Sequence, residues 1–522
     1  MTIDSKTRIQ GGDRGSEVPA SLASSATPDS LVSSATPDSP SSPAWRGKVS
    51  FYALGCKANQ EEMECLVSRL VSNGFEVVPF GDPADWVFVN TCTVTVAADS
   101  DSRQWIRRAV RSKVPGGRVV VTGCMVQRDP LSAARIDGVD LVVGNAEKPN
   151  LGQIILDEVM DGDIAGGPAN RGATSAEAGE TPGAVERGDD TAGSCTKVLV
   201  GADPTLTGFA EYGVSRDGRR TRATLKVQDG CDEHCTFCVI PQVRGASRSR
   251  SLADCVHQCE TLVSSGYHEV ALTGINTALW GRDLAPRQDL ADLLNGLLAV
   301  DHLGRIRLNS LEPQYVTNEW LDLLASDDRF CRHLHMPLQS GNDRILRRMN
   351  RRYDLAHYAD RVHEAVRRMP DLAVGADVMV GFPGESEEDF ASTLEYLEAL
   401  PLAYLHVFSY SPRPDTASPR MGAPIEVTET KRRSHALRSL SERMRATHAA
   451  RSVGSWQTVI PEGTNASGGH GLTGNYLRVH FAWDGPPLVG GEPRPVWIER
   501  ANEDGSVSGL LMNREAHTET RV

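Results

Sequence analysis

Short apolar runs alternate with amphipathic stretches from Lys48 to about Met160. Val49–Leu54, Trp86–Asn90, Val119–Thr122 and Leu141–Val143 have the length and continuity of buried strands. Glu61–Ser72 and Ser102–Val110 predict helices, the second with Ile106 and Val110 one turn apart. This alternation predicts a parallel, doubly wound α/β domain over residues 46–160. A second alternating region, over residues 216–450, offers Arg222–Val227, Glu269–Leu272, Arg305–Leu308, Leu334–Met336, Ala376–Val380 and Tyr404–Phe408 as strands. Six strand–helix units are too few for a closed eight-stranded barrel, so an open (β/α)6 barrel is expected. From about Gly454 the pattern shortens to Trp456–Ile460, Tyr476–Phe481, Val496–Arg500 and Ser508–Leu511, punctuated by Gly and Pro. A small all-β barrel over residues 451–512 follows, a fold that often binds RNA on an exposed strand face. The basic helix Thr428–Ala446 before it carries Leu437, Leu440 and Met444 on one packing face.

The remaining stretches cannot build a core. Residues 1–45 are rich in Ser, Pro, Thr and Asp, and repeat one phrase at Ser24–Ser30 and Ser33–Ser39. They predict a disordered tail, as do residues 513–522. Residues 161–215 read as an acidic Gly/Ala/Pro-rich linker. Acidic residues outnumber basic ones nine to two between Asp157 and Asp190, a net of −7 within the chain total of −13. The overall charge therefore does not exclude a nucleic-acid partner. Basic residues gather at Arg344, Arg347, Arg348, Arg351 and Arg352, and again from Lys431 to Arg451, a pattern that suits a phosphate backbone. No run of eighteen apolar residues and no secretory leader is present, so no membrane partner is expected and a cytoplasmic location is. The odd number of cysteines, eleven, argues against a disulfide framework.

Three of those cysteines form the run Cys231-x-x-x-Cys235-x-x-Cys238 on the loop after the first barrel strand, where barrel chemistry sits. Thiolates select zinc, copper(I) or iron–sulfur clusters. Structural zinc wants four ligands, and His234, wedged between two cysteines, is badly placed to be the fourth. Three cysteines on a four-iron cluster leave one iron open for substrate. Cys56, Cys92 and Cys124 each follow a predicted strand of the first domain. Ligands of such sheets bind beyond the strands' carboxyl ends, so these three are expected to converge on one edge. Cys65, Cys195, Cys255, Cys259 and Cys331 are not expected to be ligands. The strand end Val378–Gly381 carries a glycine that lets backbone approach a ligand closely.

The order of these parts resembles the radical S-adenosylmethionine (SAM) methylthiotransferases. The matching text includes Leu54-Gly-Cys56-Lys57, Asn90-Thr-Cys92-Thr-Val94, Thr122-Gly-Cys124, Cys231 to Gly245 and Leu272-Thr-Gly-Ile-Asn276. It continues through His333 to Gly341, Arg348 to Tyr353, Gly381-Phe-Pro-Gly-Glu385 and His406-Val-Phe-Ser-Tyr410. Leu272–Asn276, Arg348–Tyr353 and His406–Phe408 look most like the branch acting on threonylcarbamoyladenosine in tRNA, whereas Ser411-Pro-Arg-Pro414 looks more like the isopentenyladenosine branch.

The resemblance implies two [4Fe-4S] clusters, one on Cys231, Cys235 and Cys238 that binds SAM, and an auxiliary one on Cys56, Cys92 and Cys124. It implies reductive SAM cleavage to a 5′-deoxyadenosyl radical, hydrogen removal from adenine position 2, and transfer of a methylthio group. Gln339, Val378 and Gly381 are candidates for holding SAM; Arg344, Arg347, Arg348, Arg351 and Arg352 for tRNA; the C-terminal barrel for a TRAM-like RNA-binding role. A reduced flavodoxin- or ferredoxin-like protein is the expected electron donor. The rival readings are the same reaction on isopentenyladenosine or on a ribosomal-protein aspartate, and a non-catalytic metal-binding RNA sensor. Oligomeric state is not legible.

Overall fold

The computed structural model describes residues 45–164, 196–201, 209, 221–465, 468–483, 488 and 491–511. The tails, most of the acidic stretch and Cys195 lie outside them. Among the described residues no helix is long and apolar enough to cross a membrane.

The first sheet contains β1 (Gly47–Ala53), β2 (Phe75–Val77), β3 (Ala84–Thr91), β4 (Lys113–Gly123), β5 (Leu141–Val143) and β6 (Lys197–Leu199), in the order β2-β1-β3-β4-β5-β6. Every pairing is parallel. Helices α1 (Lys57–Val71) and α2 (Val96–Ser112) cover opposite faces, which is why β3 reads as a nearly continuous apolar run. Phe88 and Val120 pack with Leu66 and Leu70 of α1, while Val87, Val89 and Val119 pack with Ile106 and Ala109 of α2. One expectation is corrected here. The stretch 161–215 is not linker throughout: Lys197–Leu199 returns to pair with Leu141–Val143 and extends the sheet. The preceding helix also runs to Ile164.

The second region carries β7 (Ala223–Lys226), β8 (Gln228–Asp229), β9 (Arg248–Ser249), β10 (Glu269–Thr273), β11 (Arg305–Arg307), β12 (His333–His335), β13 (Ala373–Val380) and β14 (Tyr404–Ser409). Parallel sheets β11-β10-β7 and β12-β13-β14 are joined by the Ile306–Phe330 bridge and by Leu311 N–H donating to His335 O at 2.9 Å. The result is the expected open six-stranded arc; β8 and β9 form a short antiparallel pair beside the cysteine loop. Alternation along each strand sorts the side chains. Leu334, Met336, Val374, Ala376, Val378, Leu405 and Val407 pack against the outer helices. His333, His335, Asp377, Tyr404 and His406 are therefore left for the inside.

The C-terminal region is a closed barrel of β15 (Trp456–Asn465), β16 (Gly468–Thr473), β17 (Arg478–Ala482), β19 (Val507–Leu511) and β18 (Arg494–Ala501), in that order. Its Thr473–Leu477 turn closes the N-terminal end of the arc. Tyr476 stacks on His333 with 4.2 Å between ring centroids, and Arg307 donates to Thr473 O at 3.0 Å and Gly474 O at 3.2 Å. Arg305 donates to Thr458 O at 3.0 Å. The arc is thus plugged at one end, and its opposite mouth is the end that carries the cysteine loop.

Candidate active site

Cys56, Cys92 and Cys124 directly follow β1, β3 and β4 in the way the strand pattern predicts. Two glycines make the convergence possible. Gly55 has φ +84°, and a Cβ there would stand 2.7 Å from Cys92 Sγ. Gly123 has φ +102°, and a Cβ would lie 2.4 Å from Asn90 Oδ1 and Thr91 O. Only glycine tolerates both the left-handed backbone and the crowding. The three thiols are near enough to interact electrostatically. Cys92 and Cys124 are buried. Cys56 keeps an accessible face at the end of the recess, although the surrounding protein still raises its thiol above the ordinary range.

The Cys231–Cys238 loop is clamped from below by residues 348–350. Thr236 N–H donates to Met349 O at 3.1 Å, Thr236 Oγ1 to Arg348 O at 3.0 Å, and Asn350 Nδ2 to His234 O at 3.1 Å. His234 is exposed with φ +46°. Phe237 packs against Ile345, Met349 and Phe382. The first domain packs directly on the segment that follows the cysteine loop, where Cys124 meets Val239 and Val243.

Burial, reinforced by neighbouring thiols, pushes Cys92, Cys231 and Cys238 up to about 12. Three convergent sulfurs per set, in two recessed sites, suit a pair of clusters each with an open position.

Arginines hold this interface. Arg244 donates to Glu62 Oε1 and Asp229 Oδ1, both at 2.9 Å, and to Asn59 Oδ1 at 2.6 Å, so it ties α1 to the barrel. Lys148 Nζ reaches Glu62 Oε2 at 2.8 Å, and Lys226 pairs with Glu62 and Asp229. Burial alone would raise Glu62, but Arg244, Lys148 and Lys226 hold its carboxyl well below the usual range.

The five arginines from 344 to 352 do not share one face. Arg351 is buried, with Nη1 3.3 Å from Cys235 Sγ, and it also pairs with Glu312 and donates to Tyr353 Oη at 3.0 Å. Arg348 donates to Pro383 O at 3.0 Å and to Met421 O. Arg344 pairs with Asp389. Of the five, Arg347 is exposed with no carboxylate partner among the described residues, and Arg352 is exposed with Nε 3.9 Å from Glu233 Oε2. In the later run, Arg432, Arg433 and Arg443 are likewise ion-paired, with Glu387, Glu385 and Glu398 among their partners.

Gln339 sits at the end of β12 with φ +74°, its N–H donating to Asp377 O at 2.8 Å. A non-glycine residue in that region of backbone space is uncommon. The Val378 side chain faces the helices in the core, so contact with a ligand inside the arc falls to Asp377 and Met379 on either side of it. At Gly381 an added Cβ would meet Thr430 at 2.9 Å, so this glycine also makes room for the long C-terminal helix.

Sequence reasoning missed several polar groups. Among the described residues, buried Asn276 has no hydrogen-bond partner for either amide atom, and Ser340 Oγ has none either. His335, Asp377 and His406 meet inside the arc, with His335 Nε2 2.9 Å and His406 Nδ1 3.3 Å from Asp377 Oδ1. Asn276 and both histidines lie in family-matching phrases, and that was the available signal.

Comparisons with known proteins place the radical SAM superfamily over residues 225–397 and uncharacterized protein family UPF0004 over residues 48–144. The threonylcarbamoyladenosine tRNA methylthiotransferase MtaB of Bacillus subtilis is 35% identical over 83% of this chain and 90% of the relative. MtaB of Aquifex aeolicus is 37% identical over 76% and 88%. A tRNA-2-methylthio-N(6)-dimethylallyladenosine synthase of Geobacter metallireducens is 30% identical over 88% and 97%. The matching family model makes the chain a radical-SAM enzyme. With the relatives it belongs to the radical-SAM methylthiotransferase family, in its MtaB branch.

Proposed function

We propose that this protein adds a methylthio group to position 2 of N6-threonylcarbamoyladenosine beside the anticodon of tRNA. The observation that carries the reading is the pair of three-cysteine sites, one at the ends of β1, β3 and β4 and one on the loop after β7, joined where Cys124 packs on Val239 and Val243. Cys231, Cys235 and Cys238 hold the [4Fe-4S] cluster that binds SAM; Cys56, Cys92 and Cys124 hold the auxiliary one. Bound SAM and the clusters supply the radical and sulfur chemistry that no side-chain acid or base could perform on an aromatic C–H bond.

The chain's own residues position and seclude. The 348–350 segment fixes the cysteine loop, Arg351 steadies Cys235, and Arg244 locks the two halves in register. Gln339, Asn276 and the backbone at Val378 and Gly381 line the mouth for SAM. The C-terminal turn shuts the far end, so substrate enters from the cysteine side. Exposed Arg347 and Arg352, beside that mouth, meet RNA phosphates, and the C-terminal barrel adds RNA-binding surface. A reduced flavodoxin- or ferredoxin-like protein delivers the electron.

The test uses reconstituted protein with SAM, a reductant and tRNA bearing threonylcarbamoyladenosine, followed by mass spectrometry of the nucleosides. The expected product is the 2-methylthio derivative. Reaction only with the isopentenyl form would place the protein in the sister branch.

A further inference from the structure

The inside of the arc contains a polar chamber that the cluster chemistry does not use. Its wall is His335 on β12, Asp377 on β13 and His406 on β14. A carboxylate can only accept, so both imidazoles donate to Asp377 Oδ1, at 2.9 Å and 3.3 Å. The far nitrogen of each ring has no protein hydrogen bond among the described residues. Those two hydrogen bonds overcome the effect of burial and hold Asp377 well below the usual carboxylate range. The floor is the stack of His333, Tyr404 and Tyr476, with His333 Nδ1 buried and unpartnered. Gly375 makes room for that floor, since a Cβ there would lie 2.2 Å from the Tyr404 ring. At the open side Lys57, next to Cys56, reaches Asn309 Oδ1 at 3.3 Å, and its charge is felt at His333. The His406 side chain is 43% exposed, against 13% for His335, so the chamber opens along β14.

We propose that this chamber receives the N6 side arm of the substrate adenosine, with Asp377 and His406 as its specificity-determining contacts. The inference rests on the threonylcarbamoyl reading and names the residues that enforce it. That arm carries urea N–H groups, a hydroxyl and a carboxylate. Asp377 accepts from the N–H or O–H groups. His406, through the ring nitrogen that points away from Asp377, and Lys57 face the carboxylate. An apolar isopentenyl arm would cover the outward ring nitrogen of His406 without pairing it, which is how a polar site rejects an analogue most strongly.

Anticodon stem-loop RNAs bearing the threonylcarbamoyl arm, its carboxyl methyl ester or an isopentenyl arm test this, bound to reconstituted full-length protein without reductant. Wild type should bind the first at least tenfold more tightly than either other RNA. His406→Phe should reduce that preference to under threefold, and Asp377→Asn should weaken the threonylcarbamoyl RNA about tenfold, both with iron content unchanged. Variants that keep their iron and the full wild-type preference would overturn the chamber while leaving the methylthiotransferase reading intact. A stoichiometric non-iron metal that His406→Phe removes would also overturn it, since the triad would then be a cation site. Wild-type binding that favours the isopentenyl RNA would overturn the substrate reading and the chamber together.

Discussion

The two cysteine sites reach the same donor set by opposite routes. Cys231, Cys235 and Cys238 lie on one short loop, whereas Cys56, Cys92 and Cys124 come from three separate strand ends. The loop site needs only its own turn and the 348–350 clamp. The dispersed site exists only when β1, β3 and β4 are paired in register, Asn90 with Thr122 and Thr91 with Gly123. A local perturbation therefore has different reach in the two. Damage to the first sheet should remove the dispersed site and spare the loop site, whereas the loop can be disabled one ligand at a time.

The strongest break is at the strand ends. Gly123→Ala forces a Cβ against Asn90 and Thr91 at a positive φ, so it should cost on the order of 1–3 kcal/mol and displace Cys124. Iron content should fall by about half and methylthio product should vanish, while reductive SAM cleavage persists. Iron analysis beside an assay for 5′-deoxyadenosine checks this.

A milder perturbation sharpens the contrast from the loop side. Arg351→Met removes the N–H group 3.3 Å from Cys235 Sγ and strands Glu312. The cluster should still assemble, but its midpoint potential should move to more negative values and SAM cleavage should slow by about tenfold to a hundredfold. EPR-monitored redox titration reads the potential directly.

Much of this difference was legible in the chain. The long strands are continuous apolar runs, and each cysteine of the dispersed set stands just beyond one, so the convergence could be read before the fold was known. Phe75–Val77 escaped because three residues hardly make a run. Lys197–Leu199 escaped because an acidic insertion separates it from the strand it joins. Gly468–Thr473 escaped because a glycine-rich strand lacks apolar alternation. Arg351 looked like part of a solvent-facing basic run, since a sequence shows the charge but not that it turns inward to Cys235. The His335–Asp377–His406 set comes from three different strands, and only the strand register brings it together.

Smaller still is the effect of Glu61, on α1 behind Cys56. Burial raises its carboxyl to about 7, and Oε2 has no hydrogen-bond partner. The folded state then binds more protons than the unfolded state, so this group's contribution is fullest below about 4.5 and is lost as pH rises through about 7. Glu61→Gln should stabilise the protein by roughly 1–3 kcal/mol at pH 8 and by almost nothing at pH 4. Thermal unfolding of both proteins across that range measures it. The smallest effect is expected from Cys255, Cys259 and Cys331, which are buried in the barrel core or at its plugged end. Changing all three to Ala should leave iron content unaltered, by iron and sulfide analysis.

If the two sites do different work in one reaction, disabling each must remove different products. The decisive measurement pairs Cys235→Ala with Cys92→Ala in reconstituted protein given SAM, reductant and tRNA bearing threonylcarbamoyladenosine. Mass spectrometry follows 5′-deoxyadenosine and the methylthio nucleoside together. Neither product is expected from Cys235→Ala, and 5′-deoxyadenosine without methylthio nucleoside is expected from Cys92→Ala. Methylthio nucleoside formed by Cys92→Ala at the wild-type rate would contradict that division of work.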